Sequence, residues 1–208
     1  AGKSVVLKVV ASLCRPDGGS VTVGDRDVLA MTETELTAYR RGIGMVFQNN
    51  ALFDFMTVAE NVAFPLRRLL DLPDAEIGRR VEERLERVGL GGFGTRLPAG
   101  LSGGQKKRVG VARATVTAAP IVLYDEPVAG LDPVSSQRIF ELLRAEQRAA
   151  KSTVIMVSSD VDRLLTVTDR IGMLHEGRMI FEGSTDDARA SVNPVLHQFL
   201  RGEVDGPL

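Results

Sequence analysis

Leu101-Ser102-Gly103-Gly104-Gln105, followed by Lys106-Lys107-Arg108, is the stretch on which the reading of this chain turns. It opens a helical pattern, with Val109, Ala112 and Val116 recurring at i, i+3 and i+7. Serine is a good N-cap, and glycines leave backbone N–H groups uncovered. A helix start of that kind is a ready anion site, because free N–H groups and the helix dipole point the same way. Taken alone, Ser-Gly-Gly is an ordinary capped turn. Further on, the apolar run Ile121-Val122-Leu123-Tyr124 ends in Asp125-Glu126-Pro127. Such a run fits a strand buried on both faces. Two carboxylates at its C-terminal edge sit where open α/β sheets bind ligands. One can orient Mg²⁺ and the other can take a proton from water. Gly130-Leu131-Asp132 follows. At the start stands Gly2-Lys3-Ser4, the form taken by the last residues of a phosphate-binding loop.

In order along the chain, these residues resemble the nucleotide-binding subunit of ABC transporters. The matches are the end of the Walker A loop (Gly2, Lys3, Ser4, Val5), Gln48 as the Q-loop, the signature from Leu101 to Gln105, the Walker B pair Asp125-Glu126 and the D-loop at Asp132. The resemblance covers nearly the whole chain. Phe47-Gln48, Ala51-Leu52-Phe53-Asp54, Leu123-Tyr124-Asp125-Glu126-Pro127 and the tail from Gln198 to Pro207 also look like the lipid-trafficking (Mla/Mce) branch.

The resemblance implies an α/β fold: a P-loop NTPase with a RecA-like, mostly parallel sheet flanked by helices and an inserted α-helical lobe. Segments 1–48 and 119–208 would form the ATP-binding core, 49–118 the helical signature lobe, and 186–208 a C-terminal helix and tail. Family members carry a further strand or two and an aromatic residue before the Gly2-Lys3-Ser4 position. The sequence is therefore expected to be N-terminally truncated, with an incomplete β-subdomain. The implied cofactors are ATP and Mg²⁺. Lys3 would neutralise β- and γ-phosphate oxygens; Ser4, Gln48 and Asp125 would hold the metal; Glu126 would be the general base. Ser102, Gly103 and Gly104 would meet the triphosphate of a second copy, which makes a head-to-tail homodimer, with Asp132 coupling the two sites. Membrane permease subunits, and a lipid-carrier protein in the lipid branch, would be the other partners, placing the chain at the cytoplasmic face of the inner membrane. The cluster Leu52, Phe53, Phe55 and Phe64 would serve either permease docking or core packing.

One position departs from the family pattern. Histidine is usual where Ser158-Ser159-Asp160 places Ser159, and it touches both the γ-phosphate and the base. A serine hydroxyl is shorter and carries no charge. Losing one aimed transition-state donor costs about 2.7–4 kcal/mol, roughly 10²–10³ in rate. ATP binding and dimerisation are expected at near-family strength, with hydrolysis impaired. The alternative is an ATP-gated dimerising module with weak or no turnover.

Bulk properties narrow the field. Lys+Arg total 26 against Asp+Glu 27, a net charge of −1, so no bulk charge marks a nucleic-acid binder. A hydrophobic share of 44% with 25% charged residues supports a full globular core. The lone Cys14 cannot form an internal disulfide, and no apolar run approaches the roughly 20 residues of a membrane span. His175 and His197 lie on no motif.

Elsewhere, periodicity predicts a helix starting at Gly2 packed by Val5, Val6, Val9 and Val10, and a strand over 20–23. It predicts a capping box at Thr32 and Glu35, a strand over 43–47, and a short helix from Val58 stopped near Pro65. A helix from Asp74 buries Ile77, Val81, Leu85 and Val88, and Gly89 to Gly94 make a flexible return to the signature. A helix with Ile139, Leu142 and Leu143 inward, a strand over 153–157, a helix with Val161, Leu164, Leu165 and Thr168 on one face, a hairpin turning at Glu176-Gly177, and a helix over 186–200 broken at Pro194 complete the reading.

Overall fold

The run Ile121–Asp125 forms β4, the middle strand of a three-stranded parallel sheet. The computed structural model, which describes residues 2–207, pairs it with β3 (Ile43–Val46) on one side and β5 (Thr153–Val157) on the other. Val46 stands opposite Tyr124 and Asp125 opposite Val157. All three strands therefore finish at one edge, and the residues that follow them (Gln48, Glu126 and Ser159) emerge together. Parallel pairing requires long crossovers. Between β3 and β4 the chain runs through α3 (Val58–Leu69), α4 (Asp74–Arg87) and α5 (Gly103–Thr115); between β4 and β5 it runs through α6 (Pro133–Ala150).

One face of the sheet packs Val46, Val122 and Tyr124 against Val111 and Ala114 of α5 and Ile139, Phe140 and Leu143 of α6. The fit is close: a Cβ on Gly44 would lie 2.1 Å from the Ala114 carbonyl oxygen, so only glycine lets α5 lie on β3. The other face is covered by α1 (Lys3–Val10). There Leu7 and Ala11 pack on Leu123, with Val10 beside them. Leu7, Val10 and Ala11 make the i, i+3, i+4 face of that helix. Val5 and Val6 fall outside it and are 55% and 43% exposed, against the expectation that they pack.

A second core joins α3, α4 and α5 through Val62, Leu66, Ile77, Val81, Leu85, Val109 and Ala112. Here α3 runs straight through Pro65 instead of ending near it. A proline inside a helix costs about 3 kcal/mol. Val58, Val62 and Leu66 are each 0% exposed, and full burial is worth about 1.5–3 kcal/mol apiece, so packing wins. The glycine-containing return is also anchored: Val58 N–H donates to the Arg96 carbonyl at 2.8 Å and Ala59 N–H to that of Gly94 at 2.9 Å. Arg84 of α4 and Arg87 both reach Glu146 of α6, whose side chain is 7% exposed, so an ion-paired contact ties the helical cluster to the sheet layer. Burial lowers the Arg84 pKa and raises that of the neighbouring Tyr124 phenol.

The remaining elements are peripheral. The strand predicted over 20–23 shrinks to β1 (Thr22–Val23), paired with β2 (Arg26–Asp27), because Gly24 at φ +62° turns the chain back after two pairs. Thr32 and Glu35 form the predicted capping box on α2 (Glu33–Arg41). The helix α7 (Val161–Val167) stops one residue short of Thr168, whose hydroxyl caps the Leu164 carbonyl. The hairpin β6 (Arg170–His175) and β7 (Arg178–Ser184) turns at Glu176-Gly177 as predicted. It packs with α8 (Thr185–Ala190) and α9 (Pro194–Arg201) around Met173, Ala188 and Leu196. No helix among the described residues is long and apolar enough to cross a membrane.

Candidate functional site

Four segments meet at the C-terminal edge of the sheet. The first is the tip of α1. Gly2 stands at its N-cap with φ +99°, and no side chain caps the helix. A Cβ at Gly2 would meet nothing within 4 Å, so the glycine serves the left-handed backbone and not a tight fit. Uncapped N–H groups at a helix start favour an anion. The Ser4 hydroxyl donates to Asp125 Oδ1 at 2.8 Å, across 121 residues of sequence. That single bond joins the end of the phosphate-loop pattern to the end of β4.

The second segment is the acidic pair. Asp125 is 4% exposed. Glu126 is half-buried and adopts φ +47°, a left-handed conformation that turns the chain sharply as it leaves the strand. Its backbone N–H donates to the Val157 carbonyl at 2.9 Å. The third segment is the end of β5, where Ser159 donates to Glu126 Oε2 from both its N–H and its hydroxyl, each at 3.1 Å. The serine standing in the histidine position therefore still holds the acidic side chain. The fourth is the segment after β3. Gln48 is exposed, its side chain makes no hydrogen bond among the described residues, and its carbonyl accepts from Lys107 Nζ at 2.6 Å.

The signature stretch lies apart from these contacts. Ser102 caps α5 in a full capping box: Gln105 N–H donates to Ser102 Oγ at 3.3 Å, and Ser102 N–H to Gln105 Oε1 at 2.8 Å. Ser102 and Gly103 are exposed and Gly104 is half-buried. The Leu101 side chain is 7% exposed and belongs to the helical core. The Gln105 side chain is committed to its own helix cap. Val5 N–H donates to the Gly2 carbonyl at 3.0 Å, and its side chain is exposed. Asp132 caps α6 by accepting from Val134 and Ser135 N–H at 3.0 and 2.9 Å, and bonds from Ser135 hold its carboxyl below the usual range.

Residues 1–129 match the family profile described as ABC transporter. The chain belongs to the ABC transporter family. Over 183 residues it is 43% identical to the methionine import ATP-binding protein MetN of Xanthomonas campestris pv. campestris, covering 88% of this chain and 54% of that one. Over 207 residues it is 38% identical to the probable ribonucleotide transport ATP-binding protein mkl of Mycobacterium leprae, covering 100% of this chain and 60% of that one. The chain thus spans little more than half the length of these curated relatives. Among solved structures it is similar to the dimeric ATP-binding cassette MJ0796 bound to ADP and Pi, with a TM-score of 0.80 at 32% identity over 88% of this chain and 81% of that one. It is similar also to cbiO1 from Clostridium perfringens, with a TM-score of 0.82 at 30% identity over 91% and 75%.

Cassettes of this ABC family bind ATP with Mg²⁺. The donor set here suits that pair. Ser4 Oγ and Asp125 Oδ1 are hard oxygen ligands already brought within 2.8 Å of each other, and the uncapped tip of α1 suits phosphate.

Two cations to which the sequence analysis gave no role also shape the site. Lys107 is 5% exposed, and besides Gln48 it donates to the Glu126 carbonyl at 3.3 Å. Burial pushes its pKa down, while the nearby Glu126 and Asp125 charges pull it back up. Arg113 donates to the carbonyls of Ala51, at 2.7 Å, and Asn50. The signal was present: Lys107, Gly110 and Arg113 fall at i, i+3 and i+6, a second stripe beside the apolar one.

Proposed function

We propose that the chain is the ATP-binding and ATP-hydrolysing cassette of an ABC transporter, acting as a head-to-tail homodimer docked on membrane permease subunits. The observation that carries this reading is the Ser4–Asp125 bond at 2.8 Å. It assembles the phosphate-loop end and the acidic strand end into one centre while Ser102 and Gly103 face solvent, open to a partner. The proposed partition is 1–48 with 119–208 as the ATP-binding core, 49–118 as the signature lobe and 186–208 as the C-terminal element.

In the reaction proposed, water attacks the γ-phosphate in line, and catalysis is mainly positioning and charge stabilisation. Bound Mg²⁺ would draw charge from the phosphate oxygens, with Ser4, Asp125 and the Gln48 amide as the residues to hold it. Lys3 faces the β- and γ-oxygens as a point charge. Glu126 accepts the proton of the attacking water, its carboxylate aimed by Ser159 N–H and Oγ at 3.1 Å. Ser102, Gly103 and Gly104 close on the nucleotide of the second copy. Asp132, on the loop after Glu126, lies where the two sites would communicate.

Turnover below that of a histidine-bearing cassette follows from Ser159: it orients the base but brings no second charge to the γ-phosphate. That same residue favours a second reading, an ATP-gated dimer with little hydrolysis. Steady-state phosphate release by the full-length protein with ATP–Mg²⁺ separates the two. Turnover that vanishes in Glu126→Gln supports the ATPase. Tight nucleotide binding with no turnover supports the gated dimer, and no nucleotide binding overturns both.

The cargo we propose is a phospholipid or another hydrophobic molecule delivered by a lipid-carrier partner, from the stretches at 47–54 and 123–127 and the tail that look like the lipid-trafficking branch. The named relatives concern methionine and ribonucleotides. ATPase stimulation of the permease-bound complex by phospholipid, and not by methionine or nucleotide, is the outcome this cargo requires. The proposed location is peripheral, on the cytoplasmic face of the inner membrane.

A further inference from the structure

The stripe on α5 formed by Lys107, Gly110 and Arg113 runs directly beneath the segment 48–51. Arg113 holds the Asn50 and Ala51 carbonyls. At Gly110 an added Cβ would stand 3.5 Å from Asn50 Cβ, so the segment lies against the helix there. Asn50 and Ala51 both take left-handed backbone, φ +60° and +47°, a conformation that needs support from neighbours. Lys107 extends this support to the acidic centre. Its Nζ meets Gln48 O at 2.6 Å and Glu126 O at 3.3 Å, and Ala129 N–H shares the latter carbonyl at 3.2 Å. An ammonium carries three rotatable donors and can clamp two carbonyls from different segments at once. Buried where it is, this cation needs those acceptors.

We propose that Lys107 is a positioning residue: its ammonium fixes the spacing between the backbone at Gln48 and that at Glu126, and ties both to the helix whose tip is the signature. The inference rests on the ATPase reading above and adds to it a route within one subunit. A shift of α5 when Ser102 and Gly103 engage a partner's nucleotide carries the Gln48 segment and the Glu126 turn with it. The left-handed Glu126, which leaves its strand through a strained turn, gains through its carbonyl a second anchor besides its N–H bond to Val157.

The test compares Lys107→Met, which keeps length and bulk but loses the donors, with Lys107→Arg, which keeps charge and donors. In the full-length protein, Lys107→Met is expected to lower kcat at least tenfold with KM for ATP–Mg²⁺ within twofold of wild type, and Lys107→Arg to recover part of kcat. Amide hydrogen exchange without nucleotide provides a readout independent of turnover. Exchange in Lys107→Met should quicken at residues 50, 51 and 129 and stay unchanged in α3 and α4. Unchanged exchange at those amides, or a kcat equal to wild type, overturns the proposal. So does a uniform rise in exchange with a matching loss of Tm, which marks a residue needed only for folding. If wild-type protein shows no turnover, the ATPase reading fails by itself, and the exchange comparison still decides whether Lys107 tethers the two segments.

Discussion

Two helix tips in this molecule follow glycine-bearing motifs, and they are finished differently. At α1 the cap position is a left-handed glycine and no side chain closes the first turn. At α5 the cap is a serine in a complete box with Gln105. The first tip has no side-chain cap, its Val5 N–H turning back to the Gly2 carbonyl, and sits beside Ser4 and Asp125, inside the centre built by its own chain. The second satisfies two donors internally and presents Ser102 and Gly103 to solvent. On the function proposed above, the first tip belongs to a half-site built within one subunit, and the second is a half-site offered to a partner.

The sharpest way to break this comparison is to disable each half in a different copy. Glu126→Gln removes the base from the preformed half and is expected to lower turnover about 10²–10⁴-fold; Ser102→Arg blocks the offered half and should also abolish turnover. Mixed together, the two variants should regain activity, because each heterodimer carries one site with neither lesion. An inactive mixture in a phosphate-release assay, with heterodimers verified, would sink the two-half arrangement.

Lys3→Ala comes next. A charge-assisted contact is worth about 1.5–3 kcal/mol, so ATP affinity of the monomeric protein should fall roughly 10–150-fold. Ser102→Arg should leave that monomer affinity untouched, and equilibrium titration of both variants checks the contrast. Ser159→His is expected to raise kcat about tenfold or more, up to the 10²–10³ carried by one aimed transition-state donor. An unchanged rate would mean that the two 3.1 Å bonds from serine to Glu126 already suffice. The smallest effect is on stability. Ser102→Ala removes the cap of α5 and should cost about 1 kcal/mol, whereas Gly2→Ala meets strain at φ +99° but breaks no cap bond. Chemical denaturation of both variants measures the two costs side by side.

The offered tip was the more legible of the two from sequence. Ser102 with Gln105 three residues on is a cap signal in its own right, and the Val109, Ala112 and Val116 face proved buried as the periodicity required. The acidic strand end was equally plain, because a short apolar run closed by two carboxylates has few other uses. Pro65 misled because local propensity carries no information about how much apolar surface a helix will bury. Val5 and Val6 misled because four valines do not say which stripe of a helix meets the sheet; Leu7 and Ala11 decide that. The roles of Lys107 and Arg113 were hidden for a different reason. Their partners are backbone carbonyls 19 to 63 residues away, and a carbonyl has no residue type to recognise.

The left-handed turn at Glu126 also restricts what can replace it. A side chain branched at Cβ is disfavoured at φ +47° whatever its chemistry. Valine, isoleucine and threonine would therefore report backbone distortion together with loss of the carboxylate. Glutamine replaces the carboxylate by an amide and aspartate shortens its arm by one methylene, each with the least disturbance to the turn. Substitutions at this position thus divide by shape before they divide by charge.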